Sequence, residues 1–398
     1  MKKENVLYLF FLSIFVTGCS SDKQSYEDLP YIDVRKDYPE KEINLTDIAD
    51  VTYLHLSTVN DDFLYRGSIA CVTQNTIVVI DRSSHSVLFF SKDGTPKSRF
   101  NRKGQGPEEY VGVEFTMYDE EKDDVYILPS IFYMSRYINV YSSSGEYKRK
   151  LTLPQGALVD QMFFFDEQSI LVYDNRKLLQ NMRKNYSEDN TAFMESIDSS
   201  FFLISKTEGK VLEYIPLPSN NVNLSFRDDM VGFAIPGFAR VRKCPDGLFL
   251  YNPETDTVFL FSKDKFLTPY MCKKPLLSDL NPMTVMDICM DAGRFQFMSV
   301  IPYLVNGKIS PDANYYMRDK KTGEIFRQKI ILPDYKGKDF YFDPRRTSYY
   351  EKAYHFELDL TELEEAYREN RLSGKLKKLV ATLNEDEDNN VFMLVDFK

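Results

Sequence analysis

The chain has 398 residues, a formal net charge of −10 at pH 7, and 14% aromatic residues made up of Phe and Tyr with no Trp. An acidic chain of this size argues against a nucleic-acid-binding protein, which presents a basic surface to phosphates. Phe and Tyr favour strands, so the composition indicates a β-rich domain.

Residues 1–18 have the pattern of a secretory signal peptide. Lys2 and Lys3 precede an apolar run at 6–16, which is too short for the roughly 20 residues of a membrane-spanning helix. The sequence Val-Thr-Gly before Cys19 resembles a bacterial lipobox. This resemblance implies cleavage before Cys19 and its acylation, whereas the alternative is an ordinary signal peptide. Several acyl chains would hold a soluble domain firmly on a membrane.

Residues 19–30 are polar and lack a periodic apolar pattern, which predicts a tether between lipid and domain. Their Ser-Asp-Lys segment resembles the export tags of some Bacteroidetes surface lipoproteins. We therefore expect an outer-membrane lipoprotein, on the periplasmic or the cell-surface side. Residues 31–398 are expected to form one domain.

One phrase recurs along the domain: an apolar strand, a polar turn with Ser, Lys or Gly, and a second strand. It begins at residues 87, 138, 201, 258 and 314, and another strand precedes each of the first four copies. Repeats of 50–60 residues built from about four short strands predict a β-propeller. The chain ends, at 53–58 and 391–398, supply a sixth blade. Six blades are predicted, with seven as the alternative.

Two segments interrupt the repeat. Residues 175–200 lack strand character and are expected to form a loop or a partly helical flap. Near the C-terminus, Thr361 and Glu364 have the spacing of a capping box that opens a helix. The apolar positions of a second helix, with Ser373 as its cap, are Leu372, Leu376, Leu379, Val380 and Leu383. A helical pair over about 361–383 is predicted, followed by a solvated acidic turn at 384–390.

Three segments make the chain similar to the six-bladed β-propeller lipoproteins of the Bacteroidetes, which are distant relatives of NHL-type propellers. They are the sequence GQGPEEY at 104–110, the sequence INLTDIADVTYLHLST at 43–58, and the C-terminal helical pair with its acidic turn and last strand. The resemblance implies an all-β, six-bladed propeller with a short helical pair, exported from the cell. It implies no activity.

Sites of known chemistry are missing from the sequence. The three histidines lack metal-ligand spacing, and there is no G-x-S-x-G nucleophile motif. The alternating Asn and Asp residues at 384–388 lack the Gly and Glu of an EF-hand. The sequence therefore predicts no metal and no cofactor. Four cysteines follow Cys19, namely Cys71, Cys244, Cys272 and Cys289, and Cys244 and Cys272 are a possible disulfide pair.

Propellers usually bind ligands at one mouth of the central channel, where loops between blades meet. The candidate ligand-binding residues there are Arg66, Lys103, Gln105, Glu109, Tyr110, Arg240, Arg242, Arg345 and Arg346. The arginines could gather a carboxylate or an acidic sugar, or pair with neighbouring glutamates. The glycines at 104 and 106 fit a phosphate cradle less well than an inter-blade crossover with positive φ at glycine.

The hypothesis that these observations favour is a non-enzymatic binding or scaffold module for a glycan, a peptide or an envelope protein. The alternative is a propeller lyase or hydrolase whose catalytic residues lie on several blades. A third possibility is a structural partner of a transporter, recognisable by an exposed apolar patch on one rim.

Overall fold

The computed structural model describes a set of ranges that begins at residue 28. They are 28–58, 61–129, 137–176, 199–217, 241–252, 255–280, 284–302, 304–305, 308–309, 313–342, 348–350, 353–384 and 387–398. Six sheets surround a central channel, so the fold is an all-β propeller of six blades, as predicted. No helix among the described residues has the length and apolar character needed to cross a membrane.

The N-terminal segment contributes outer strands to three blades. It contains β1 (Tyr31–Asp33), β2 (Glu40–Asn44), the short helix α1 (Leu45–Ile48) and β3 (Ala49–His55). Leu29, placed in the tether by the sequence pattern, is already buried. The packed domain therefore begins slightly before residue 31.

Blades 1 to 3 are four-stranded antiparallel sheets. The strands of each blade are given in order from the channel outwards. Blade 1 contains β4 (Gly67–Val72), β5 (Thr76–Asp81), β6 (Ser86–Ser91) and β7 (Pro96–Phe100). Blade 2 contains β8 (Val113–Asp119), β9 (Asp124–Pro129), β10 (Tyr137–Tyr141) and β11 (Tyr147–Thr152). Blade 3 contains β12 (Val159–Phe164), β13 (Ser169–Asp174), β14 (Phe201–Ser205) and β15 (Val211–Ile215). Residues 177–198 of the predicted insertion lie outside the described residues.

Blades 4 and 5 each carry a fifth, outermost strand. Blade 4 contains β16 (Val241–Cys244), β17 (Gly247–Tyr251), β18 (Thr257–Ser262) and β19 (Leu267–Lys274). Blade 5 contains β20 (Thr284–Ala292), β21 (Phe295–Pro302), the hairpin β22 (Leu304–Val305) and β23 (Lys308–Ile309) outside the sheet, β24 (Asn314–Asp319) and β25 (Ile325–Ile331). β1 pairs in parallel with β19, and β2 pairs in parallel with β25.

Blade 6 joins the two ends of the chain. It contains β26 (Ser348–Tyr350), β27 (Ala353–Leu358) and β28 (Val391–Phe397), with α2 (Leu360–Arg368) and α3 (Gly374–Val380) inserted before β28. β28 pairs antiparallel with β3, from Val391 opposite His55 to Phe397 opposite Ala49. The prediction that both termini share one closing sheet is confirmed.

Burial explains why the strand that precedes each of the first three repeated phrases was visible in the sequence. The second strands of blades 1 to 3, which are β5, β9 and β13, are buried along their whole length. Each lies between neighbouring strands of its own sheet and between two neighbouring blades, so it has no solvated face and reads as a continuous apolar run. The outer strands β7, β11 and β15 instead carry exposed residues.

A buried asparagine fastens the closing blade. The side-chain oxygen of Asn389 accepts a hydrogen bond from the Tyr65 backbone N–H at 3.1 Å. Its amide nitrogen donates to the carbonyl oxygens of Leu56 and Phe63, at 2.9 and 3.0 Å. These contacts join the turn before β28 to the segment after β3. The prediction of a solvated turn is therefore wrong for Asn389, although Glu387 is exposed.

The helical pair is confirmed, but its caps differ from the predicted ones. Asp359, rather than Thr361, caps α2, and its carboxylate accepts from the Glu362 N–H at 3.0 Å. Ser373 precedes α3, but its hydroxyl donates to the Pro333 carbonyl instead of capping the helix. The predicted apolar face packs into the core that blades 5 and 6 share. Leu372, Leu376 and Val380 are buried there, and Leu379 and Leu383 are partly buried.

In each of blades 1, 2 and 3, the hairpin turn between the third and fourth strands packs against the preceding blade. Gly94, Gly145 and Gly209 have positive φ, and a Cβ atom on any of them would meet the outer strand of the preceding blade or the residues that follow it. At Gly145 the Cβ would lie 2.5 Å from the Cβ of Phe100. The left-handed turn therefore lets two blades approach closely.

The possible disulfide between Cys244 and Cys272 is absent, and both thiols are free and buried. Cys244 lies on β16 and Cys272 on β19, which are separated by two strands of the same sheet. Three strand spacings amount to about 14 Å, whereas the Cα atoms of a disulfide lie within about 7 Å.

Replacing Gly145 by Ala should destabilise the propeller more than replacing Gly323 by Ala. Both glycines lie in equivalent hairpin turns, at φ of 82° and 77°, but a Cβ on Gly323 meets nothing within 4 Å. Both variants incur the left-handed penalty of about 1–2 kcal/mol. Gly145→Ala adds overpacking of about 1–3 kcal/mol against Phe100. Free energies of unfolding from urea titrations measure the difference, and equal losses would contradict inter-blade packing at this turn.

Candidate functional site

The longer connections lie at one end of the propeller. Strands alternate in direction within a blade, so the connections after every second and fourth strand emerge at the same end. Their lengths range from the four residues 82–85 in blade 1 to the 32 residues 359–390 in blade 6. The turns at the other end have at most five residues, as at 206–210. Loops of varied length on a rigid scaffold commonly carry binding residues.

The segment 104–110 is the crossover between blades 1 and 2, as predicted, and its polar groups bond within the protein. The buried Tyr110 hydroxyl donates to the His85 carbonyl at 2.9 Å and accepts from the Arg102 N–H at 3.0 Å. The Glu109 carboxylate accepts from the Gly106 N–H at 2.7 Å. Tyr110 and Glu109 therefore shape the crossover, whereas Lys103 and Gln105 are exposed.

Positive φ at the crossover glycines is a wrong prediction. Neither Gly104 nor Gly106 adopts a left-handed conformation. A Cβ at Gly104 would instead lie 1.9 Å from a carboxylate oxygen of Glu109. A side chain at position 104 would therefore displace the flexible Glu109 carboxylate from its hydrogen bond to the Gly106 N–H.

The two predicted arginines that the structure describes, Arg66 and Arg242, lie in different blades. Arg66 is exposed at the start of β4 in blade 1. Arg242 lies on β16 in blade 4 and forms an ion pair with Asp287 at 3.3 Å, the structural alternative that the sequence left open. Arg240, Arg345 and Arg346 lie outside the described residues.

A cavity of about 840 Å³ opens at the end with the long connections, beside blade 6. Its walls come from the start of β4, the residues after β25, the end of β27 and the N-terminus of α2. β26 begins opposite His355. Among the described strands, the last three residues of β27 therefore have no neighbour on their channel side.

Carboxylates dominate the polar lining of this cavity. Asp339, Glu357, Asp359 and Glu362 line it together with Lys338 and Asn390. Two of the four carboxylates have structural roles, because Asp359 caps α2 and Glu362 pairs with Lys338. Glu357 and Asp339 are exposed, so their carboxylates are accessible to a ligand.

Asn390 orients Glu357. Its side-chain oxygen accepts from the Leu360 N–H at 2.9 Å, and its amide nitrogen donates to the Glu357 carboxylate at 2.8 Å. Glu357 is accessible to solvent in the cavity, yet the surrounding walls desolvate it. This desolvation, with a contribution from Asp359, raises the pKa of Glu357 above its ordinary value, against the opposing effect of the Asn390 hydrogen bond.

His355 contributes a neutral side chain to the wall. Burial, with a further contribution from Lys92, lowers the pKa of this imidazole to about 4. At neutral pH the cavity therefore carries four carboxylates against one lysine, and it has a negative charge.

Two tyrosines form an aromatic shelf at the cavity. The rings of Tyr315 and Tyr341 stack with their centroids 5.3 Å apart and an interplanar angle of 22°. Tyr341 is 41% exposed and lines the cavity, so part of its side chain is accessible to a ligand. Tyr335 adds a third tyrosine to the lining.

Sequence reasoning missed this site because its residues come from separate blades. The sequence signal for the site was the aromatic and charged run at 334–342 (DYKGKDFYF). It lies in the connection that leads into blade 6. No group of three or more His, Cys, Asp or Glu side chains in the described part of the chain could hold a metal ion.

Two solved structures are similar to this chain at low sequence identity. A candidate exported protein of Bacteroides fragilis is 14% identical, with a TM-score of 0.58 over 90% of this chain and 98% of its own. A DUF4221 family member from Bacteroides vulgatus is 12% identical, with a TM-score of 0.48 over 88% of this chain and 97% of its own. The first similarity supports the fold alone.

None of the curated proteins matches the chain in sequence. A family model described as a domain of unknown function, DUF4934, matches residues 29–273, from the segment before β1 to near the end of β19. This match covers more than half of the chain, and the described sheets form a six-bladed β-propeller. The chain therefore belongs to the DUF4934 family.

Proposed function

We propose that this protein is a lipid-anchored binding module of the outer membrane that captures a hydroxyl-rich ligand, an oligosaccharide, in the cavity beside blade 6. The observation that carries the proposal is the pairing of an open tyrosine stack with carboxylates in one recess. Ligand sites typically combine an apolar or aromatic surface with a few well-placed polar groups. The tyrosine stack offers a flat apolar surface to the C–H face of a sugar ring, and the carboxylates accept hydrogen bonds from its hydroxyls.

The charge of the cavity selects among saccharides. Glu357 and Asp339 are acceptors and would repel a carboxylate or sulfate on the ligand. Lys338, the cation in the lining, already pairs with Glu362. A neutral sugar or an amino sugar therefore fits better than the acidic sugar that an arginine cluster would bind.

The lipid anchor rests on the lipobox at Cys19 and on the polar residues that follow it. These residues supply a tether to the first packed residues beside blade 4, where Pro30 accepts a hydrogen bond from the Cys272 N–H at 2.9 Å. Such an arrangement would keep the propeller close to the membrane and its cavity open to solutes.

A glycoside-cleaving enzyme is the second candidate, and one observation favours it. Glu357, whose pKa is raised by desolvation, lies near Asp359, and glycosidases use a pair of carboxyl groups for the acid and base or nucleophile roles. Asp359 caps α2, however, which occupies its carboxylate. Recovery of an intact oligosaccharide after long incubation separates binding from cleavage.

Cys19→Ala should release the exported protein from the membrane. Without the thiol no thioether to lipid can form, so the protein should move from the detergent-soluble membrane fraction to the aqueous fraction. Fractionation followed by immunoblotting measures the change, and Ser20→Ala is the matched control. Retention of the Cys19→Ala protein in the membrane would contradict acylation as the anchor.

Tyr341→Ala should weaken oligosaccharide binding by about 3- to 10-fold, since an aromatic contact contributes roughly 0.5–1.5 kcal/mol. Calorimetric titration with neutral, amino-substituted and uronic-acid oligosaccharides is the measurement. The neutral or amino-substituted class should bind, and the uronic-acid class should not. Tyr31→Ala is the matched control, because Tyr31 is 48% exposed and lies away from the cavity. Binding that is insensitive to Tyr341→Ala would exclude the tyrosine shelf as the site.

As the pH is lowered, affinity for that oligosaccharide should begin to fall at a higher pH than it would with a carboxylate of ordinary pKa. Ionised Glu357 is the stronger acceptor, and its raised pKa means that it gains a proton above the usual value of about 4.3. Glu357→Gln should lower the affinity at neutral pH and remove this part of the pH dependence. Glu114→Gln, at an exposed position on β8, should leave both unchanged. An identical pH profile for wild type and Glu357→Gln would exclude a role for this carboxylate.

A further inference from the structure

The outer edge of blade 3 exposes apolar side chains on a free strand. β15 has the sequence VLEYI, in which Leu212 is 53% exposed and Tyr214 is 39% exposed. Glu213 between them is also exposed. β15 pairs with β14 on one side, and no described strand pairs with its other side. An edge of this kind presents unpaired backbone N–H and C=O groups that can bind another strand.

The other blades protect the corresponding edge. β7 carries Pro96, Lys97 and Arg99, and β11 carries three consecutive basic residues at 148–150. Lysine, arginine and proline at an edge discourage strand addition. β19 and β25 are covered by β1 and β2, and α3 packs against β3. Of the outer strands described, β15 alone has neither basic residues nor a cover.

Blades 4 and 5 of the same molecule show that the corresponding edge of a blade can accept a further strand. β1 and β2 lie parallel to the fourth strands of blades 4 and 5, which occupy the position that β15 occupies in blade 3. β2 has the polar sequence EKEIN and buries one apolar side chain, Ile43. A short strand with a single apolar anchor is therefore sufficient at this position of a blade.

We propose that β15 is a docking edge for an extended segment of a partner protein, which adds to blade 3 as a fifth, parallel strand. The segment would place a Lys or Arg opposite Glu213 and apolar residues beside Leu212 and Tyr214. Opposite charges on neighbouring strands stabilise the pairing, and like charges destabilise it. The formal net charge of −10 also favours a basic partner. This proposal is independent of the ligand cavity.

A second copy of the chain fits this edge poorly. A two-fold symmetric antiparallel pair of β15 strands in central register would set Glu213 directly opposite its own copy. Like charges in that position oppose association, and each copy adds the same negative net charge. The partner is therefore a different, basic polypeptide.

The test uses two synthetic peptides as probes, VTVKVTV and VTVEVTV, each carrying a fluorophore. Anisotropy titration against the purified full chain should show that the lysine peptide binds about fivefold more tightly than the glutamate peptide. Hydrogen exchange read by mass spectrometry should show slower exchange of the β15 amides when the lysine peptide is bound. Strand addition predicts this protection, whereas a purely charge-driven contact does not.

Three variants identify the edge. Leu212→Lys gives β15 the basic character of β7 and should abolish binding of the lysine peptide. Leu276→Lys is the matched control, since Leu276 is 52% exposed outside blade 3, and it should bind like the wild type. Glu213→Lys should reverse the preference between the two peptides. Circular dichroism melts of each variant confirm that the fold is retained.

Three peptide-binding results would overturn the proposal. They are the absence of binding by either peptide at millimolar concentration, binding that Leu212→Lys leaves unchanged, and unchanged peptide preference in Glu213→Lys. A dimer in sedimentation velocity that dissociates in Leu212→Lys would assign the edge to self-association instead, and it would also overturn the proposal.

Discussion

Ring closure is the constraint on which the other features of this propeller depend. A blade has two apolar faces, and both are buried only when a blade packs on each side of it. An open ring would leave one such face of each terminal blade solvated, including blade 1, where β5 is buried along its whole length. The ring closes because β3 pairs with β28, and these two strands come from opposite ends of the sequence. Asn389 reinforces this pairing with hydrogen bonds to the segment that follows β3.

The N-terminal segment does more than close the ring. Before it forms β3 in blade 6, it covers the outer edges of blades 4 and 5 with β1 and β2. Each covered edge gains backbone hydrogen bonds and loses a site for unwanted strand pairing. The segment thus ties three consecutive blades together along their outer circumference. Blades 1 to 3 rely on basic side chains or remain open at the same position.

The fold was predictable because its signal is local and repeated. The five phrases correspond to the third and fourth strands of blades 1 to 5, and the two chain ends meet in blade 6. Features that depend on three-dimensional neighbours were not predictable. Asp359 is the cap of α2 because its own backbone is extended there, and the side chain that folds over Gly104 is that of Glu109. The cavity belongs to this second class, since Tyr341, Glu357 and Gly67 are far apart in sequence.

The cavity and the ring closure share one turn of the chain. Asn389 holds the turn to the segment after β3, and the next residue, Asn390, holds both the N-terminus of α2 and the carboxylate of Glu357. The position of the acidic group in the cavity is therefore set by the same turn that closes the propeller. Residues of blade 1, Gly67 to Ile69, line the cavity together with Glu357 of blade 6, so a ligand that spanned both blades would bind the closed ring. Because a ligand that binds one form alone stabilises that form by mass action, such binding would favour closure of the propeller.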